Sequence, residues 1–405
     1  MSLSLKVRIA GLAGLLMSPL VQADFSIPGF ELVHTVPVDT ALGTADLRQP
    51  GPVWIELFDG AKSTIDIGQF YAVDHPSSVM DSVIERLEAA GKRGVKIRFL
   101  LEEKGIRLSE ASTLERLRAI PNLSLRVLSY GQLSGGILHA KYMVVDGKQA
   151  FIGSQNFDWR SLEHIHETGL RITDAPVVSQ VQAIFDQDWR AQAALTEHQP
   201  VPLPAAGTAP ARTGNYLVAS PQRYNPPGVG DSQLELPRLL SEAQHEVRVQ
   251  LLDYAPLSYG PDKTRPYYAV IDNAVRAAAA RGVSIKLMVS NWNTDALELP
   301  YLKSLAVLPN VQIKIVTLPE AKQGFIPYAR VIHSKTLEID GKVAWVGTSN
   351  WLGGYLDNSR NLEVVMRSET MARRIGDLHE QLWDGPYARA LNVTDEYPAP
   401  HPGQH

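Results

Sequence analysis

One arrangement of residues occurs twice in this 405-residue chain, and a long-period repeat constrains the fold to two copies of one unit. His139-Ala140-Lys141 is followed by Asp146 and then by Gly153-Ser154-Gln155-Asn156. His333-Ser334-Lys335 is followed at identical spacing by Asp340 and by Gly347-Thr348-Ser349-Asn350, an offset of 194 residues. An Arg-Gly-Val triplet begins at 93 and again at 281, an offset of 188. Around each triplet the apolar pattern is that of strand, helix and strand. Ile65-Asp66-Ile67 leads to a helix over Ser78 to Gly91, with apolar Val79, Val83, Ile84 and Leu87, and then to a strand from Val95 to Leu100. In the second copy Val247-Arg248-Val249 leads to a helix from about Tyr267 to Ala280 and a strand from Val283 to Leu287. A period near 190 residues is too long for a solenoid, so the chain reads as a duplicated α/β domain, two α/β sandwiches related by a pseudo-twofold.

The domain boundaries follow from composition. Lys6 and Arg8 precede an apolar run from Ile9 to Val21, and Val21-Gln22-Ala23 places small residues where a signal peptidase reads, so residues 1–23 are expected to be a cleaved signal peptide. The run is short for a bilayer span and is broken by Ser18-Pro19. Residues 24–195 form the first half, 196–213 a Pro/Ala-rich linker, 214–390 the second half and 391–405 a tail. With no later membrane span expected, the mature chain is an exported protein, periplasmic or secreted.

Composition removes whole classes of chemistry. With no cysteine there is no disulfide framework, thiolate nucleophile or Cys-ligated zinc. The net charge of −4, which becomes −6 once Lys6 and Arg8 are removed, argues against a surface that clamps nucleic acid everywhere and leaves room for a local basic groove. Glycine-rich phosphate loops are absent.

In each cassette His and Lys stand two apart on an apolar stretch, Leu138 to Val145 and Ile332 to Ile339, so a strand would aim both at one face. A single His-x-Lys is weak evidence. Two buried lysines and two histidines converging across a twofold make a cationic pocket, because buried ammonium groups are costly unless they meet a charge. A phosphate diester fits such a pocket.

These residues resemble the phospholipase D superfamily, marked by a repeated His-x-Lys-x4-Asp followed by Gly-Ser/Thr-x-Asn. Phe157-Asp158-Trp159-Arg160-Ser161-Leu162 and Gly347 to Tyr355 look most like a branch that includes animal endolysosomal 5′-exonucleases; this chain keeps Asp in both motifs, where that branch can be irregular. The resemblance implies a metal-independent, cofactor-free phosphodiesterase working through a phosphohistidine. It makes His139 the nucleophile and His333 the acid then base, with Lys141, Lys335, Asn156 and Asn350 holding the nonbridging oxygens. It also implies an acidic residue behind each imidazole, for which Glu167 and Glu363 stand 28 and 30 residues after the histidines. Asp146, Asp340, Ser154 and Thr348 read as structural parts of the motif. A phospholipid headgroup leads as substrate on charge and export. Single-stranded nucleic acid, phosphatidyl transfer to an alcohol and a noncatalytic anion binder are the alternatives. Because one chain carries both cassettes, a monomer can build the whole site.

Other candidates have bland readings beside the sharp ones. His164-Ile165-His166 between Glu163 and Glu167 reads as surface plus packing rather than a metal cluster. Trp159 and Trp351 read equally as cleft walls or core, and Tyr259 to Tyr268, mixing aromatic and basic residues, as an exposed loop that could serve base stacking or a lipid headgroup.

Overall fold

The computed structural model describes residues 24–205, 209–259 and 265–403. The expected signal peptide therefore lies outside the described residues, as do 206–208 of the linker and 260–264 of the aromatic-basic loop.

Each half is built on one mixed sheet. In the first, the strands run in the spatial order Ser26–Ile27, Phe30–Thr35, Glu167–Ile172, Gln149–Gly153, Tyr142–Val145, Thr64–Gln69, Lys96–Glu102 and Leu123–Leu128. In the second the order is Gly230–Asp231, Tyr216–Ser220, Asn361–Met366, Val343–Gly347, Thr336–Ile339, Glu246–Gln250, Ser284–Ser290, Val311–Val316 and Ala388–Ala390. From the second strand to the eighth the two orders correspond one to one, which is the duplication seen in three dimensions. Parallel pairs join Thr64–Gln69 to Lys96–Glu102 and Glu246–Gln250 to Ser284–Ser290, each across a helix, Val79–Lys92 or Val270–Ala280.

The first of these helices shows why. Ser78 caps it by accepting a hydrogen bond from the Asp81 amide at 3.1 Å, and Met80, Val83, Ile84 and Leu87 form the buried stripe. It ends where Gly94 takes φ +90°; Gly282 ends the matching helix at φ +91°, so the Arg-Gly-Val repeat is a repeated left-handed turn. The second helix begins at Val270 rather than Tyr267, since Tyr267 is taken up in a bridge to Leu257.

The apolar clusters give the layering. Val53, Trp54, Val83, Leu87 and Phe99 fill the outer side of the first sheet, and Leu239, Val247, Ile271, Val275 and Leu287 that of the second. A third cluster takes residues from both sheets and from the helices Ala175–Thr196 and Glu369–Trp383, including Val144, Ile152, Ile184, Phe185, Val346, Val364, Met371 and Ile375. The halves therefore share one central core. The described linker residues pair in no strand, and the tail folds back on the second half: the Thr294 hydroxyl donates to the Pro398 carbonyl and the Tyr328 amide to Pro402. Among the described residues no helix is long and apolar enough to cross a membrane.

Candidate active site

The two cassettes meet where the halves touch, and each half holds the other's histidine. Sequence patterning places His139 and Lys141 on a strand; the sheet strand begins only at Tyr142, and its counterpart at Thr336 rather than His333. The preceding segments instead take their backbone bonds across the pseudo-twofold. The amides of His139 and Ala140 donate to the Arg360 carbonyl at 3.0 and 2.8 Å, and those of His333 and Ser334 to the His166 carbonyl at 2.8 and 3.1 Å. Arg360 stands 194 residues beyond His166, so the exchange is symmetric. Thr168 and Ser334 add a hydroxyl pair at 2.8 Å between halves. The Arg360 guanidinium, fully buried, makes a two-pronged bond to Asp188 at 2.9 and 2.8 Å and donates to the carbonyls of Ser220 and Tyr224.

His139, Lys141, Asn156, His333, Lys335 and Asn350 are all buried in this junction. Both ammonium groups bend back to the carbonyl of their own histidine, Lys335 to His333 at 2.5 Å and Lys141 to His139 more closely. Burial, then the neighbouring lysines, hold the His139 imidazole well below its usual pKa. Burial pulls His333 to about 4 against the pull of Glu167. Lys141 is held well below the usual ammonium range by burial and by Lys335, and Lys335 is brought to about 7. The carbonyl oxygens of both Asn156 and Asn350 are buried with no hydrogen-bond partner among the described residues.

The imidazoles have different supports. His333 Nδ1 meets the Glu167 carboxylate at 2.8 Å, so the carboxylate of one half orients the histidine of the other. Burial opposes the charge on Glu167, but His333 and Lys335 outweigh it and keep its pKa below the usual value. Glu363 does not play the matching part. His139 Nδ1 donates instead to Asn361 Oδ1 at 2.9 Å. The orientation of that amide is set by its Nδ2, which donates to the Tyr355 carbonyl at 2.8 Å, and by the Thr348 hydroxyl, which donates to Oδ1 at 2.8 Å. Asn361 lies 28 residues after His333, the spacing of Glu167 after His139; the motif offset of 194 applied to Glu167 finds it, whereas Glu363 is two residues further along the strand. Glu363 points into the same half, where Ser232 donates to it at 2.5 Å and Ser349 more closely.

The remaining motif residues bind backbone. Asp146 accepts the amides of Lys62, Ser63 and Thr64 at 2.8, 2.7 and 2.9 Å, and Asp340 those of Gln244, His245 and Glu246, each at 2.8 Å. Each aspartate thus ties its turn to the start of the neighbouring strand. Ser154 exchanges hydrogen bonds with the Thr168 backbone at 3.2 and 3.1 Å, mirroring Thr348 at Leu362.

Sequence patterning did not single out the rings around the nucleophile candidate. His139 lies between Tyr355, 4.7 Å away edge-on, and Phe70, 5.8 Å away. Tyr259 continues the row, 5.3 Å from Tyr355 and 58% exposed. Of the tryptophans, Trp351 is core against Trp345, and Trp159 packs on His75 and His164. His166 bonds to His34 at 2.9 Å and Gln250 at 3.0 Å, and no group of metal-ligating residues occurs among the described residues.

Two mirrored α/β halves close on paired imidazoles, ammoniums and amides, a cationic site of the kind that phosphodiesterases present to a phosphate diester. The chain belongs to the phospholipase D superfamily: the family described as "Cardiolipin synthase, PLD-like domain" matches residues 54–189 and again 236–383. It is similar to a Caenorhabditis elegans protein named as a probable phospholipase D, 28% identical over 392 residues, which are 89% of this chain and 70% of that one. It is also similar to the 5'-3' exonuclease PLD3 of Xenopus laevis, 29% identical over 414 residues and covering 91% and 82% of the two chains. Phospholipase D Z of Dictyostelium discoideum is 29% identical over 388 residues, 88% and 90% of the two. Among solved structures, phosphatidylserine synthase of Haemophilus influenzae shares the fold at TM-score 0.58, 12% identity and coverage of 84% and 85%.

Proposed function

We propose that this phosphodiesterase acts on single-stranded nucleic acid from a free end, through a phosphohistidine on His139 and without a metal ion. The observation that carries the substrate is the aromatic row from solvent to nucleophile, Tyr259, Tyr355, His139 and Phe70, with ring centroids 4.7 to 5.8 Å apart. Any base offers a face to the exposed Tyr259 end of such a row, whereas a choline headgroup would meet it only by cation–π contact. Relatives named as 5'-3' exonucleases support the same reading.

The chemistry rests on the unequal supports. Asn361 holds the His139 proton on Nδ1, leaving Nε2 a bare, neutral lone pair that attacks phosphorus in line. As the P–O bond breaks, His333 Nε2 gives its proton to the departing oxygen, and the Glu167 carboxylate stabilises that imidazolium before the transfer. His333, now neutral, takes a proton from water; the oxygen attacks phosphorus and returns His139 to its free form. Lys141 and Lys335, drawn off their own carbonyls by the anion, and the amides of Asn156 and Asn350 supply charge and hydrogen bonds to the nonbridging oxygens. Cleavage of residues 1–23 would deliver the enzyme outside the cytoplasm as a monomer with a complete site.

The phospholipid reading keeps one observation: Tyr267 and Leu297, both exposed and in the half that carries Tyr259, offer apolar contact to a membrane. One experiment decides. Purified protein with chelator is given a 5′-hydroxyl single-stranded oligonucleotide or phosphatidylcholine vesicles, with His139→Ala and His333→Ala alongside. Mononucleotide release that both variants abolish is expected; release of choline instead replaces the substrate, and activity surviving in His139→Ala removes the nucleophile.

A further inference from the structure

Glu363 is a buried carboxylate that the mechanism above does not use, and its counterpart in the first half is Gly169. The two halves fill the same volume in opposite ways. In the first, the Phe151 ring and the long Gln155 side chain cover Gly169, where any Cβ would press on Phe151 Cζ and Gln155 Oε1. In the second the turn has the short Ser349, and Glu363 reaches back over Gly347, where a Cβ would collide with the Glu363 side chain. One turn is thus covered by its own uncharged amide, whose Nε2 donates to Thr35 at 3.4 Å, and the other is bonded by an acid from the next strand. That acid accepts from Ser349, between Thr348 and Asn350, and from Ser232 in the first turn of the Ser232–Glu242 helix.

We propose that Glu363 is a positioning residue for the reaction: through Ser349 it anchors the 347–350 turn to that helix. It thereby holds Asn350 at the pocket and, by way of Thr348 and Asn361, the ring of His139. The proposal rests on the phosphodiesterase reading. An ionised carboxylate accepts from both serines, while a protonated one must donate one of its bonds, so the anchor weakens with acid. Burial raises the group to about 7; the serine hydroxyls and the Arg360 guanidinium pull it down, and Asp231 pushes it up. Because the folded-state pKa lies above the unfolded one, the native state holds the extra proton in between. Folding stability from this group is therefore lost as pH rises from the ordinary carboxylate range through about 7.

The test compares wild type, Glu363→Gln, Ser349→Ala and the double variant. Losses in kcat of about ten- to a hundredfold, with KM nearly unchanged, are expected in each single variant and no further loss in the double. The acid limb of the wild-type kcat profile near 7 should vanish in Glu363→Gln. Additive losses, or an unmoved limb, overturn the proposal. Imidazole NMR of histidine-labelled protein reads the same link without turnover: the His139 Nδ1 proton signal, identified by its loss in His139→Ala, should shift in Glu363→Gln. An unchanged signal sinks the anchor. A wild type inactive on every diester sinks the functional reading alone, because the NMR arm still stands or falls by itself.

Discussion

At the scale of single residues, the two histidines differ in one atom pair. His333 faces a carboxylate and His139 an amide, and both contacts are shorter than 3 Å. A carboxylate behind an imidazole favours its protonated form, so it suits a proton donor and burdens a nucleophile that must be neutral. Asn361→Asp should therefore raise the pKa of His139, read directly as an upward shift in the titration of its ring by imidazole NMR. A titration that stays in place would show that Asn361 does not set the state of that histidine. Glu167→Gln should act on the other histidine and depress kcat across the profile.

At the scale of elements, the helix-to-strand turns at Gly94 and Gly282 require left-handed backbone, and a Cβ at either would meet nothing within 4 Å. The cost of substitution is then conformational alone. Gly94→Ala and Gly282→Ala should each lower stability by about 1–2 kcal/mol, additively and without changing kcat, as read by denaturant unfolding. The segments that carry the two His-x-Lys pairs obey different physics. They lie outside their own sheets, and their amides are satisfied by Arg360 and His166 of the opposite half. A local pattern that alternates like a strand cannot distinguish these two sources of hydrogen bonds.

At the scale of the whole molecule, one core cluster spans both sheets, and the buried Arg360–Asp188 pair crosses it. Removing one partner of such a pair leaves the other charged and buried. Asp188→Ala should cost about 3–5 kcal/mol and lower activity, because Arg360 also carries the carbonyl that fixes His139. Unfolding should remain a single transition when monitored by circular dichroism and tryptophan fluorescence; two separated transitions would show halves that fold independently.

The repeat, the two His-x-Lys pairs and the strand–helix–strand order were all legible in the chain, because each depends on local spacing, and a glycine turn or an amphipathic stripe is written into a few adjacent residues. The partner of each imidazole was not legible. Glu167 serves the histidine of the other half, and Asn361 rather than Glu363 stands behind His139; both facts belong to contacts between residues 166 and 222 positions apart. Phe70 and Tyr355 reach His139 only because two loops from different halves close on it. Side chains along a strand alternate between faces, so a shift of two residues keeps the face and changes the neighbour. Only the packing of the halves decides which neighbour that is.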